Sequence, residues 1–85
     1  MTRPMEELLK HILEALVDKP EAIVIERREN ENGITLEVTV DPDDMGQVIG
    51  RGGRRAQAIR QIMKAKGMRT GDRIYVDILD ECKNN

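Results

Sequence analysis

Three glycines interrupt a helix-forming stretch of this chain, and they constrain its fold more than any other feature. The segment MGQVIGRGGRRAQAIR, residues 45–60, places Gly50, Gly52 and Gly53 between two runs of good helix formers. A glycine in a helix interior costs about 1 kcal/mol relative to alanine. The stretch therefore predicts two helices joined by a tight turn, rather than one continuous helix.

The segments before this stretch predict a helix and a β-hairpin. Apolar residues recur at three- and four-residue steps from Met5 to Leu16, which indicates an amphipathic helix closed by Pro20. Segment 22–28 is rich in β-branched residues, and segment 34–40 alternates apolar with polar residues, as strands do. Asn32-Gly33 between them is a hairpin turn signal, so the strands are expected to pair antiparallel.

The remaining elements follow the same local signals. Asp41 fits the N-cap of a short helix that the glycines end. The second helix is expected from about Gly53 to Lys66, with Gly67 just past its end and Met68 in the hydrophobic contact that follows. Its expected apolar face consists of Ala56, Ile59, Ile62 and Met63. A last strand is expected to place Ile74, Val76 and Ile78 on one face.

This order, α-β-β-α-α-β, predicts an α+β fold with a three-stranded sheet and its helices packed on one face. We expect a single domain over residues 1–81 and a short disordered tail over residues 82–85. On the other side of the sheet, Ala22 and Val24 are expected to lie with Tyr75 and Leu79. A partly apolar open face favours contact with another protein.

Positive charge concentrates around the glycine turn, although the whole chain carries a net charge of −2. Half of its 14 Lys and Arg residues, and none of its 16 acids, lie between Met45 and Gly71. A ligand at this segment meets a basic surface whatever the net charge, which favours an anionic partner.

Two nucleotide-binding motifs built on glycine turns are absent. A P-loop needs Lys and then Ser or Thr after its last glycine, but Arg54 follows Gly53. A dinucleotide fingerprint needs a preceding strand and a glycine where Arg55 stands. What remains is G-x-x-G, Gly50 to Gly53, between two helices. There a bare backbone can approach a sugar-phosphate chain, and the next helix offers its N–H groups.

The segment VIGRGGRRAQAIR resembles the signature of KH (hnRNP K homology) RNA-binding domains. It has two β-branched residues, the G-x-x-G loop, and an aliphatic residue, Ile59, six positions after the loop. The α-β-β-α-α-β order looks like the bacterial, type II arrangement. Together with EELLKHILEALVDKPEAI near the N-terminus, the chain is similar from about Met5 to Leu79 to small stand-alone bacterial KH proteins of the KhpA type.

The resemblance implies a site for single-stranded RNA, in which the loop clamps the backbone of about four nucleotides. The residues that it assigns to RNA binding are Val48, Ile49, Gly50, Arg51, Gly52, Gly53, Arg54, Arg55 and Ile59. The aliphatic members form or support a groove under the bases, and the arginines attract phosphate. Family members usually carry a polar side chain where Gly52 stands, so one contact fewer is expected here.

The resemblance also implies partners and a cellular role. Proteins of this type look like partners of a larger Jag-type KH protein in post-transcriptional control and cell-envelope growth, and some act as homodimers. A rival function is a dimerisation or protein-interaction scaffold with a KH fold and little RNA binding. The partly apolar open sheet face supports this second function, whereas the intact loop glycines and Arg51 oppose it.

The sequence shows no catalytic or metal-binding constellation. His11 stands apart from any Cys or Asp cluster, and Cys82 has no neighbouring histidine. The acids of segment 41–44 fit a helix start better than a metal loop. We therefore expect a non-catalytic protein with no cofactor. The single cysteine and the lack of a long apolar run predict a reducing, cytoplasmic location without membrane contact.

Overall fold

The computed structural model describes residues 4–79, which form an α+β fold with the predicted order of elements. The helices are α1 (Pro4–Glu14), α2 (Met45–Ile49) and α3 (Arg54–Thr70), and the strands are β1 (Val24–Asn30), β2 (Gly33–Thr39) and β3 (Ile74–Ile78). The sheet order is β1-β2-β3, with β1 antiparallel and β3 parallel to β2. The tail predicted for residues 82–85 lies outside the described residues.

The hydrophobic core lies between one face of the sheet and the three helices. Alternate residues of β2, among them Leu36 and Val38, are completely buried, as the alternation predicted. Leu9 and Leu13 of α1 are also completely buried, while Leu16 is only partly covered. Burial of such an aliphatic side chain contributes roughly 1.5–3 kcal/mol relative to exposure, so this layer carries most of the fold's stability.

The hairpin forms as predicted, but its turn lies one residue earlier than Asn32-Gly33. Asn30 pairs with Gly33, so Glu31 and Asn32 occupy the turn, and the Asn30 side chain accepts the Asn32 N–H at 2.8 Å. Gly33 instead begins β2 with φ +141°, and a Cβ there would lie 2.5 Å from the carbonyl oxygen of Arg73. A glycine at this position therefore lets the backbone just before β3 approach β2 closely. Local turn rules do not consider such contacts between distant segments.

The connection from α1 to β1 also departs from the prediction. Helix α1 ends at Glu14, six residues before Pro20, and Pro20–Ala22 form a 3₁₀ turn. Strand β1 consequently starts at Val24, so Ala22 is not part of the sheet. In this connection Lys19 lies beside two aspartates. Its pKa is raised by a hydrogen bond to Asp43 and by the charge of Asp41.

Helix α3 is longer than predicted, because Gly67 lies inside it rather than past its end. Gly71, with φ +81°, caps the helix in the left-handed conformation. The buried stripe of α3 runs through Ala56, Ile59, Met63 and Gly67. The predictions for Ile62 and Met68 are wrong: their side chains fall outside that stripe and are 46% and 73% exposed.

Candidate nucleic-acid interface

The glycine loop separates α2 from α3 through three left-handed backbone conformations. Gly50, Gly52 and Gly53 have φ of +77°, +64° and +78°, a region that side chains disfavour by roughly 1–2 kcal/mol. At Gly50 there is also no room, since a Cβ would lie 2.6 Å from the Cβ of Arg55. At Gly52 and Gly53 a Cβ would meet open space. These two glycines therefore leave the outer side of the loop bare.

The loop opens at the start of a long helix. Helix α3 begins at Arg54 and runs for 17 residues, and Gly53, the residue before it, has no side chain to cap the first turn. The first N–H groups of a helix lack intrahelical partners and carry the positive end of its dipole. In this chain the Gly53 N–H donates to the Gly50 carbonyl at 3.2 Å, and the Arg54 N–H donates to the Arg51 carbonyl. An anion beside Gly53 would therefore meet the positive end of the helix dipole and would accept hydrogen bonds only from N–H groups that follow Arg54 in the first turn.

The three arginines around the loop, Arg51, Arg54 and Arg55, differ in whether their charge is available to a ligand. Arg51 and Arg54 are exposed, and neither forms an ion pair with any residue from 4 to 79. Arg55 instead donates to the backbone carbonyl and the side-chain oxygen of Gln47, which braces α3 against α2. A shallow depression of about 400 Å³ lies over the loop and the first turns of α3, and Gly50 and Ala58 complete its lining. Arg51 and Arg54 are thus the charges available to a ligand.

The aliphatic residues assigned to the site lie beneath the loop. Val48 and Ile59 are buried, with exposures of 0% and 2%, and Ile49 is half-buried against the same core. Val48 and Ile59 therefore anchor α2 and α3 to the sheet and hold the two ends of the loop. In this conformation they offer almost no surface to a base.

A second concavity, which we call the edge groove, lies between α3 and β3. Its volume is about 700 Å³, and its lining residues are Arg60, Lys64, Met68, Asp72, Arg73, Ile74, Tyr75 and Val76. Arg60 joins the two walls by donating from Nε to the Val76 carbonyl at 3.2 Å. The sequence reasoning missed this groove. It depends on α3 and β3 packing side by side, which no motif in either segment signals.

Within residues 4–79, no group of three or more His, Cys, Asp or Glu side chains is arranged to hold a metal ion. None of their helices combines the length and the apolar character needed to cross a membrane.

Comparison with known protein families assigns the chain to one of them. The family described as KhpA/KhpB, KH domain, matches residues 6–78. The chain belongs to that family. The resemblance to KH domains is therefore confirmed at the level of the family, and the α+β fold is consistent with it.

Curated relatives of this KH family cover most of the chain. A protein of Oceanobacillus iheyensis named RNA-binding protein KhpA is 45% identical over 75 residues, which span 88% of this chain and 100% of the relative. The protein of the same name from Streptomyces coelicolor is 42% identical over 76 residues, spanning 89% of this chain and 92% of the relative. The protein of that name from Listeria monocytogenes is 41% identical over 76 residues, spanning 89% of this chain and 100% of the relative. These names denote binding proteins, not enzymes, in agreement with the predicted non-catalytic role.

Proposed function

We propose that this protein binds single-stranded RNA through the loop Gly50–Gly53 and does no chemistry on it. The observation that carries the proposal is the bare, left-handed loop before α3, whose first turn has no side-chain cap. Arg51 and Arg54 flank this loop and form no ion pair with residues 4–79. The name RNA-binding protein KhpA, given to relatives that match over nearly the whole chain, supports the same ligand.

In the proposed complex, one RNA phosphate lies against Gly53 and accepts N–H bonds from the first turn of α3. Arg51 and Arg54 contact neighbouring phosphates, and charge-assisted bonds of this kind are roughly twice as strong as neutral ones. Val48, Ile49 and Ile59 support the groove from below, and Arg55 holds its two helices together. Unpaired RNA fits best, since KH loops clamp about four backbone nucleotides of a single strand.

We further propose that the protein acts in pairs, in the cytoplasm, in post-transcriptional regulation. Base stacking on aromatic side chains contributes about 1–3 kcal/mol per base in other binders. This chain has a single aromatic residue, so one domain binds weakly. A second copy, or a larger Jag-type KH protein, would raise avidity without new contacts to each RNA segment. Size-exclusion chromatography with light scattering, with and without RNA, tests the homodimer.

The test of the loop compares two aspartate substitutions at left-handed glycines of the same helix. Gly53→Asp places a charge where the phosphate would lie, and Gly71→Asp places it at the far end of α3. Both positions have φ near +80° and open space for a Cβ, so the backbone cost and the charge change match. In a titration with a four-nucleotide RNA followed by NMR amide shifts, Gly53→Asp should abolish binding and Gly71→Asp should retain it. Equal affinities in a folded pair would refute the phosphate clamp.

The scaffold function remains the second candidate, because Val24 and Tyr75 are half exposed on the sheet. The register places them in different rows, with Glu26, Glu37 and Asp77 in the row between. The open face is therefore less apolar than the sequence suggested, which favours RNA binding over the scaffold. A wild-type protein that forms dimers but binds no RNA would reverse this order.

A further inference from the structure

Strand β1 forms one edge of the sheet, and within residues 4–79 it pairs with β2 only. An unpaired strand edge presents a row of backbone N–H and carbonyl groups that another strand can bind. The other edge strand, β3, has five residues, and Arg60 already donates to the carbonyl of Val76 there. Strand β1 has seven residues and is therefore the longer edge at which a further strand can add.

The hydrogen bonds between β2 and β3 show which backbone groups of β1 face its free edge. The Ile34 N–H donates to the Arg73 carbonyl at 2.7 Å, so Ile34 and every second residue after it in β2 bond to β3. The residues between them bond to β1, and the register pairs these with the even-numbered residues of β1. Backbone groups of successive residues point to opposite sides of a strand. The N–H and carbonyl groups of Ile25 and Arg27 therefore point toward the free edge.

The charges of β1 are complementary to those of a second copy of the same strand. When two copies pair antiparallel with Arg27 opposite Arg27, all seven residues are paired and Glu26 lies opposite Arg28 twice. Both pairs fall at non-hydrogen-bonded positions, where opposing side chains are closest. The neighbouring registers that keep the same faces together place Glu26 opposite Glu26, or Arg28 opposite Arg28. One register is thus favoured by charge.

The central residue of this register, Arg27, is already neutralised within its own chain. Its side chain is 15% exposed, and it forms ion pairs with Glu29 at 3.0 Å and with Glu6 at 3.4 Å. Two copies of Arg27 therefore meet across the axis without two bare charges facing each other.

Glu26, in contrast, gains its first ion-pair partner in this arrangement. Within its own chain it lies directly opposite Glu37, and like charges at such positions destabilise a sheet. It forms no ion pair within 4 Å among residues 4–79. Arg28 of a second copy would extend the acidic row of Glu26, Glu37 and Asp77 by a cation at its open end.

We propose that two copies of this chain pair through β1, which joins their three-stranded sheets into one sheet of six strands. The two-fold axis passes through the Arg27 pair perpendicular to the sheet, so both copies keep their helices and glycine loops on the same side. This inference rests on the proposed function, because it names the surface through which the protein acts in pairs. An RNA that reaches both loops gains avidity without new contacts.

Charge reversal tests the proposed register. Glu26→Arg places two cations opposite each other at both sites, and Arg28→Glu places two carboxylates there. Light scattering over a concentration series should give twice the 9.7 kDa chain mass for the wild type and the single mass for each variant. An equimolar mixture of the two variants should recover the dimer, because opposite charges then meet at both sites.

The matched control is Asp77→Arg, which makes the same charge change in the same acidic row but at the other edge of the sheet. This variant should remain dimeric. Glu26→Arg removes a like-charge pair within the chain, so its fold should be retained, as circular dichroism checks. Amide exchange of Ile25 and Arg27 should be slower in the wild type than in Glu26→Arg, since these N–H groups bond across the interface.

Three results would overturn the β1 interface. A wild type that stays monomeric over the whole concentration series would remove the dimer. Variants that remain dimeric would place the contact on another surface. A mixture of the two variants that stays monomeric would contradict the paired charges.

The same variants separate this inference from the loop clamp. Glu26→Arg should bind a four-nucleotide RNA as the wild type does, and Gly53→Asp should remain dimeric. Failure of the charge-reversal test, with Gly53→Asp still unable to bind RNA, would overturn the interface and leave the clamp standing. A dimer that passes the charge-reversal test but binds no RNA would support the interface and refute the clamp.

Discussion

At the scale of single residues, Asp44 shows how a carboxylate can stabilise a fold from inside. It is the one charged side chain that is fully buried among residues 4–79, with 2% exposure. Its two oxygens accept the backbone N–H groups of Asp18 and Lys19, each at 3.1 Å. The sequence suggested only a favourable charge at a helix start. The structure instead shows that Asp44 joins the α1–β1 connection to the start of α2, the helix before the glycine loop, through the two hydrogen bonds that its buried side chain accepts. We call these two hydrogen bonds the buried tie.

Removal of the buried tie should lower the stability of the fold. Asp44→Ala leaves two backbone donors without partners, and each such loss costs about 1–3 kcal/mol when the groups are buried. Since these donors are partly buried, we expect the free energy of unfolding to fall by about 2–4 kcal/mol in urea denaturation. Asp43→Ala is the matched control, because that side chain is 81% exposed and solvent screens its pairing with Lys19. Similar losses in both variants would argue against the buried tie.

At the scale of elements, the contact of α3 with β3 decides where the helix ends. Gly67 lies where the returning chain crosses the helix. A Cβ there would lie 2.6 Å from the Asp72 carbonyl oxygen and 2.9 Å from Cγ1 of Ile74. The Gly67 carbonyl accepts the Asp72 N–H at 2.8 Å, which turns the chain into β3. Glycine is thus used for close packing inside the helix, whereas sequence reasoning took it for the end of the helix.

This packing reverses the usual effect of replacing a helical glycine. Gly67→Ala should destabilise the protein by about 1–3 kcal/mol, the typical cost of overpacking. Gly46→Ala, in α2 with nothing near its Cβ, should be neutral or stabilising by up to about 1 kcal/mol through helix propensity. Thermal unfolding of the two variants gives the sign directly. A rise in melting temperature for Gly67→Ala would show that β3 can move aside.

At the scale of the whole molecule, charge is distributed unevenly between its surfaces. All charged residues of the loop and of α3 are Arg or Lys. The open sheet face instead carries an acidic row formed by Glu26, Glu37 and Asp77. Arg28 neutralises part of that row through its ion pair with Glu37 at 2.8 Å. A polyanion therefore meets attraction on one side of a protein whose net charge is −2.

The salt dependence of RNA binding should follow this local charge. Each phosphate neutralised on a single strand contributes about −0.7 to the slope of log affinity against log salt. Arg51→Gln combined with Arg54→Gln should therefore flatten the slope by about 1.4. Lys10→Gln combined with Arg69→Gln removes the same charge from exposed sites away from the loop and should leave the slope unchanged. Equal slopes in all three proteins would mean that these arginines touch no phosphate.

Much of the fold could be predicted, because its signals act over a few residues. The periodicity of α1, the alternation in β2 and the Asp41 cap each reflect neighbours within one or two turns. The glycine loop is of the same kind, since Gly50, Gly52 and Gly53 all adopt the left-handed conformations that glycine permits. Errors appeared where the packing of one element against another decides the role of a residue. Gly33 faces Arg73, and Ile62 falls outside the face that α3 presents to the sheet.

The sequence by itself determined the order of elements, the position of the glycine loop and the concentration of positive charge around it. Helical and strand periodicity, backbone freedom and charge are properties of residues and their near neighbours, so they can be read along the chain. Only the tertiary structure decided that Asp44 is buried, that Gly67 lies within α3, and that Tyr75 shares a groove with Lys64. Each depends on which surfaces meet after folding, and burial and close approach between segments distant in sequence leave no local pattern.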